Sequence, residues 1–155
     1  MKADDPPQRD REYGPRVIPQ IPDTDSLDLA RRLIAYEARD EHAPESPVLL
    51  RVSEKLRRSL SRLVGAAGFR SLLHRALSIA SVKAPSLGVV QITPDGSLHG
   101  LDALGDGHEE AAAGAMLIGQ LLALLVLFIG KSLVLSLVSD IWPDFVPVNG
   151  TSESR

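Results

Sequence analysis

Gly130-Lys131-Ser132 is the first group of residues in this 155-residue chain with the makings of chemistry, because glycine, lysine and a hydroxyl close the phosphate-binding loop G-x-x-x-x-G-K-S. The first glycine of that pattern falls on Leu125, and the tripeptide sits within an apolar helical run rather than between strand and helix. No phosphate cradle follows. The four histidines, His42, His74, His99 and His108, are not paired at a metal-ligand spacing, and His108-Glu109-Glu110 lacks the second histidine of H-E-x-x-H. Cysteine is absent, which removes disulfides, iron–sulfur clusters, thiolate zinc sites and thiol nucleophiles. No serine stands in a G-x-S-x-G elbow, and the acids concentrate in helix caps and tails rather than in a spaced pair on a buried face. The expectation is therefore a protein without a catalytic, cofactor or metal site. Asn149-Gly150-Thr151 has the form of a glycosylation sequon, but Met1-Lys2 is followed by acids and prolines rather than by an apolar signal run, and the match reads as accidental.

Charge carries more information. Residues 1–50 hold seven Lys or Arg against eleven Asp or Glu, residues 51–83 eight against one, and residues 84–155 two against eight. The net charge of −3 thus conceals a basic middle flanked by acidic ends. Arg51, Lys55, Arg57, Arg58, Arg62, Arg70 and Arg75 are the candidate contacts to an anionic partner, the alternatives being a lipid surface, the chain's own acidic arm, an acidic protein patch or nucleic acid. Helix, short glycine-containing turn, helix is also the outline of a helix-turn-helix reader. The segment lacks a third short helix before the turn and the whole chain is acidic, which ranks nucleic acid third.

These residues must be positioned by helices. Residues 1–23 hold five of the eleven prolines with both signs of charge and no period, which reads as a disordered arm, and residues 143–155 read as a disordered tail. Between them the pattern predicts a mainly α domain over 24–142 of about four helices with one small β-hairpin. Asp25 opens a capping-box-like start, and Leu29, Leu33, Ile34 and Tyr36 recur at helical spacing to give a helix over 24–40. Ser46 as N-cap and Pro47 at the first helical position open the next, 47–64, with Leu49, Val52, Leu56, Leu60 and Leu63 on one face. Gly65-Ala66-Ala67-Gly68 stops it, and Phe69, Leu72, Leu73, Ala76, Leu77 and Ala80 restate the spacing over 68–84, so the two amphipathic helices form a helical hairpin. Gly88-Val89-Val90-Gln91-Ile92 and Leu98-His99-Gly100-Leu101, around Thr93-Pro94-Asp95-Gly96-Ser97, predict a β-hairpin over 88–101 resting on the helices or on a partner's sheet.

The last predicted element is one long apolar helix over 107–142. Ala111 to Gly130 are twenty residues without a charge, a rise of about 30 Å, and a window from Met116 to Val134 averages about 2.2 in hydropathy, enough to cross a bilayer. A span over 111–134 would use Gly114, Gly119, Ala123 and Gly130 for close helix approach, Leu124 and Phe128 as apolar contacts and Trp142 as an interfacial anchor, with Lys131 snorkelling. The competing expectation is a buried core helix, favoured by Lys131 within the run and by the polar stripe of Ser132, Ser136 and Ser139.

The stretch from VSEKLRRSLSRLVGAAGFRSLLHRALSIA through GVVQITPDGSLHGL to LLVLFIGKSLVLSLVSDIWPD, about two thirds of the chain, resembles a group of small uncharacterised bacterial helical proteins. The resemblance implies a bacterial source and brings no activity, cofactor or site residue with it. The leading expectation is a non-enzymatic membrane-associated protein in the inner membrane, its basic helix pair on the cytoplasmic side. The second is a soluble cytoplasmic interaction or adaptor domain, acting through a protein partner or as a homo-oligomer, whose apolar helix is core or oligomer interface.

Overall fold

A computed structural model describes residues 24–39, 47–104 and 108–145. The first helix, α1 (Thr24–Ala38), carries Leu29, Ala30, Leu33, Ile34 and Glu37 at steps of one, three and four, and these residues are buried. Asp25 in its first turn suits the positive end of the helix dipole.

The basic segment forms α2 (Val48–Lys83), two arms joined at Gly65, whose φ of 82° and ψ of 160° lie outside the helical region. Both arms bury one stripe: Leu49, Val52, Leu56 and Leu60 on the first, Phe69, Leu73, Ala76 and Ala80 on the second. A Cβ at Gly96 would lie 3.4 Å from Arg57 and 3.3 Å from Phe69, two residues that a straight helix would hold about 18 Å apart. The arms therefore bend toward each other as the expected helical hairpin. Its turn is tighter than the sequence suggests, because Gly65 alone makes the break and Gly68 is already helical. Pro47 is the cap residue rather than the first helical one, and the Ser46 cap lies outside the described residues.

A 3-10 turn (Pro85–Val89) leads to a two-residue ladder of β1 (Gln91–Ile92) and β2 (Leu98–His99), antiparallel, with Gln91 opposite His99 and Ile92 opposite Leu98. The ladder is shorter than the predicted 88–101, since 3-10 geometry claims Pro85–Val89 and Leu101–Leu104. Two such strands are marginal alone. They rest on α2, where Ser97 Oγ donates to Glu54 Oε2 at 2.7 Å and Arg70 Nη1 donates to the Pro94 carbonyl at 3.2 Å.

The apolar run differs from the single helix over 107–142. It is two helices, α3 (His108–Ile129) and α4 (Lys131–Ile141), because Gly130 takes φ 95° and ψ 154° and breaks the hydrogen-bond ladder. Helix α3 is the hub. Eleven of the thirteen residues from Ala113 to Leu125 are buried, and they cover more than three turns and nearly every direction around the axis. Helices α1 and α2 pack along α3, and α4 packs on both α3 and α2. Gly114 permits close approach of α1 and α2, since a Cβ there would meet Leu49 at 3.3 Å and Ile34 at 3.5 Å. On α4, Val134 and Val138 face inward, and Ser132, Ser136 and Ser139 form the exposed stripe expected from their spacing.

Phe145 is buried and meets Tyr36 edge-on with ring centroids 5.4 Å apart, so the packed chain continues past the predicted boundary at 143. The arm and the remainder of the tail lie outside the described residues.

Candidate functional site

Two groups of charge emerge, one buried and one exposed. The buried group is centred on Glu37, which ends the inward stripe of α1 and is 2% exposed. Arg51 Nε donates to its Oε2 at 3.2 Å, Lys55 Nζ to Oε1 at 2.9 Å, and the Trp142 indole Nε1 to Oε1 at 2.9 Å. Arg51 Nη2 also donates to the Glu37 carbonyl at 2.8 Å. Burial pushes the Glu37 carboxyl up, but the hydrogen bonds from Trp142, Lys55 and Arg51 and the charge of Lys55 outweigh burial and hold it below the usual glutamate range. Lys55 Nζ lies 6.0 Å from the Trp142 ring centroid, and an open cleft bounded by Tyr36, Arg39, Lys55, Ile141 and Trp142 borders the group.

A base for catalysis needs a free lone pair within reach of substrate. Glu37 has its oxygens turned to two cations and an indole, and it ties the end of α1 to the start of α2 and the end of α4. Its chemistry is that of a clamp. Among the described residues no group of three or more His, Asp or Glu is arranged to hold a metal ion.

The candidate basic contacts divide by partner. Arg51 and Lys55 serve Glu37, and Arg57 pairs with Glu54 at 2.5 Å. Glu54 is itself pushed up by burial, yet hydrogen bonds from Arg57 and Ser97 hold it below the usual range. Arg70 serves the turn at Pro94. Arg58, Arg62 and Arg75 are exposed, with no hydrogen-bond or ion-pair partner among the described residues.

The candidate membrane residues divide as well. Gly114, Gly119 and Leu124 are buried within the fold and Ala123 is half-buried. Trp142 is 3% exposed and its indole donates to Glu37. Phe128 is exposed beside Leu127, which is 70% exposed, and Leu133, on the other side of Gly130 in the chain, is exposed as well. Lys131 pairs with Asp25 at 3.3 Å across the surface. Glu109–Ile129 is long and apolar enough to cross a membrane, with a mean hydropathy of 2.4, a test that a soluble core helix also passes.

Two polar residues were not singled out from sequence. Glu37 had a readable signal, since it stands four residues after Leu33 on the apolar stripe of α1. Gln120 is fully buried on α3, and neither its Oε1 nor its Nε2 has a hydrogen-bond partner among the described residues. One amide in a twenty-residue apolar run gave no hint of that.

Comparison with known proteins yields no match to a family model, to a curated protein or to a solved structure.

Proposed function

We propose that the chain is a non-enzymatic helical interaction domain that folds in water around α3 and presents its basic helix pair to an anionic partner. The observation that carries this reading is the burial of α3 from Ala113 to Leu125 by the apolar stripes of α1 and α2. A span surrounded by lipid would leave those two stripes uncovered. The cell compartment that fits is the bacterial cytoplasm, including the inner face of the membrane. Self-association through Leu127, Phe128 and Leu133 is compatible with the same reading.

Full-length protein expressed and purified without detergent tests it. A helical, defined small species that unfolds cooperatively in urea is the expected result. Solubility only in detergent, with helicity lost on its removal, contradicts it.

The second reading is an integral inner-membrane protein anchored through residues 111–134 with its basic helices in the cytoplasm. It is favoured by the hydropathy of Glu109–Ile129 and by exposed Leu127 and Phe128. Nucleic-acid binding through residues 51–83 ranks third.

A further inference from the structure

Resting on the reading of α3 as a core helix, we propose that the outer face of α2, carrying Arg58, Arg62, Arg75 and Val82, docks reversibly on an anionic lipid bilayer. The buried stripe of the first arm runs through Leu49, Val52, Leu56 and Leu60. Arg58 and Arg62, one turn apart, project from its opposite side. On the second arm the stripe is Phe69, Leu73, Ala76 and Ala80, and Arg75 and Val82, two turns apart, again lie opposite. The three arginines are those left over when the fold's own demands are met, since Arg51, Lys55, Arg57 and Arg70 are engaged in the fold.

Charge complementarity selects an anionic partner. No Asp or Glu occurs between Glu54 and Asp95. Those two are occupied, Glu54 by Arg57 and Ser97, Asp95 by Thr93 and Ser97. The apolar content of the face selects lipid over nucleic acid. Val82 is 72% exposed, a side chain that gains from the boundary between headgroups and acyl chains and gains nothing from a phosphate backbone. The one Phe of α2, Phe69, is buried, which leaves the His74 imidazole as its exposed ring and no Phe, Tyr or Trp on which a base can stack. Each cation near an anionic leaflet strengthens attachment about fivefold, so three give roughly a hundredfold, enough for reversible recruitment.

The full chain is tested by co-sedimentation with phosphatidylcholine vesicles and with vesicles containing about 30% phosphatidylserine. The expected result is binding to the phosphatidylserine vesicles alone, weakening as salt rises. Replacing all three arginines, as Arg58→Gln, Arg62→Gln and Arg75→Gln, should weaken it roughly a hundredfold, whereas the three Lys replacements should retain it. Val82→Ser should weaken binding further without changing the urea midpoint. The proposal is overturned by absence of binding, by binding indifferent to the Gln replacements, or by tighter binding to a DNA duplex at the same salt that is indifferent to Val82→Ser. Equal binding to neutral vesicles that resists alkaline carbonate would instead show that α3 inserts, and the core-helix reading would fail with it.

Discussion

Glu37 is the residue at which three helices are joined, by its bonds to Arg51, Lys55 and Trp142. Removing one partner of a buried ion pair typically costs about 3–5 kcal/mol, because the remaining charge is left uncompensated. Glu37→Leu should therefore lower the unfolding free energy in urea, by less than this amount, because Arg51 keeps its bond to the residue-37 carbonyl and Lys55 is 36% exposed, while the buried Trp142 indole loses its acceptor. The pH dependence has a definite sign. A carboxylate whose folded pKa is depressed contributes stability above its unfolded pKa, and that contribution is lost as pH falls through the folded value. Acid titration of stability should thus show a steep loss below about pH 4, and the loss should be shallower in Glu37→Gln. Gln120 predicts the opposite effect. An unpaired buried amide costs about 1–3 kcal/mol, so Gln120→Leu should raise the urea midpoint. A lowered midpoint would mean that Gln120 has a partner in solution. The periodicity of α1 placed Glu37 on a buried stripe, but its clamping role depends on Arg51, Lys55 and Trp142. Trp142 stands 105 positions away, and sequence spacing carries no record of a contact between them.

Single glycines decide the shapes of the elements. Gly65 and Gly130 occupy a region of backbone space essentially closed to other residues, at a cost of about 1–3 kcal/mol for a side chain. No atom lies within 4 Å of a Cβ at either position, so the loss in Gly65→Ala or Gly130→Ala should come from the backbone alone. Equilibrium unfolding should report about 1–3 kcal/mol for each. A neutral Gly130→Ala would indicate that α3 and α4 can fuse into the single helix expected over 107–142. Helix existence was readable because apolar residues recur every three to four positions. The break at Gly130 was not, since Ile129 and Lys131 continue a good helical sequence on both sides and nothing local distinguishes a helical glycine from a hinge. Gly65 differs in that its two arms carry buried stripes of their own, and the turn between them was visible in Gly65-Ala66-Ala67-Gly68.

On the scale of the whole molecule, the same apolar run satisfies two descriptions that sequence cannot separate, because length and hydropathy are alike for a bilayer span and a covered core helix. The two descriptions differ in what covers the helix. Leu121 and Leu125 are fully covered and Leu124 is 7% exposed, whereas Leu127 on the same helix points outward. If α3 is a core helix, Leu124→Arg should abolish folding, while Leu127→Arg and Ser136→Arg should be tolerated and leave helicity and solubility unchanged. A lipid-embedded helix would lose insertion in Leu127→Arg as well. The sorting of the basic residues belongs to this scale too. Composition marked residues 51–83 as one block, and only the fold divides it into cations that hold the structure and cations such as Arg58, Arg62 and Arg75 that have no ion pair among the described residues.

Extraction of cell membranes with alkaline carbonate tests the placement of α3 in the core most directly. Full-length protein should appear in the supernatant, whether it began in the cytosol or on the membrane surface, because a peripheral domain is released when its electrostatic contacts are stripped. Recovery in the carbonate-resistant pellet would contradict the account, since only a helix threaded through the bilayer is held there without charge.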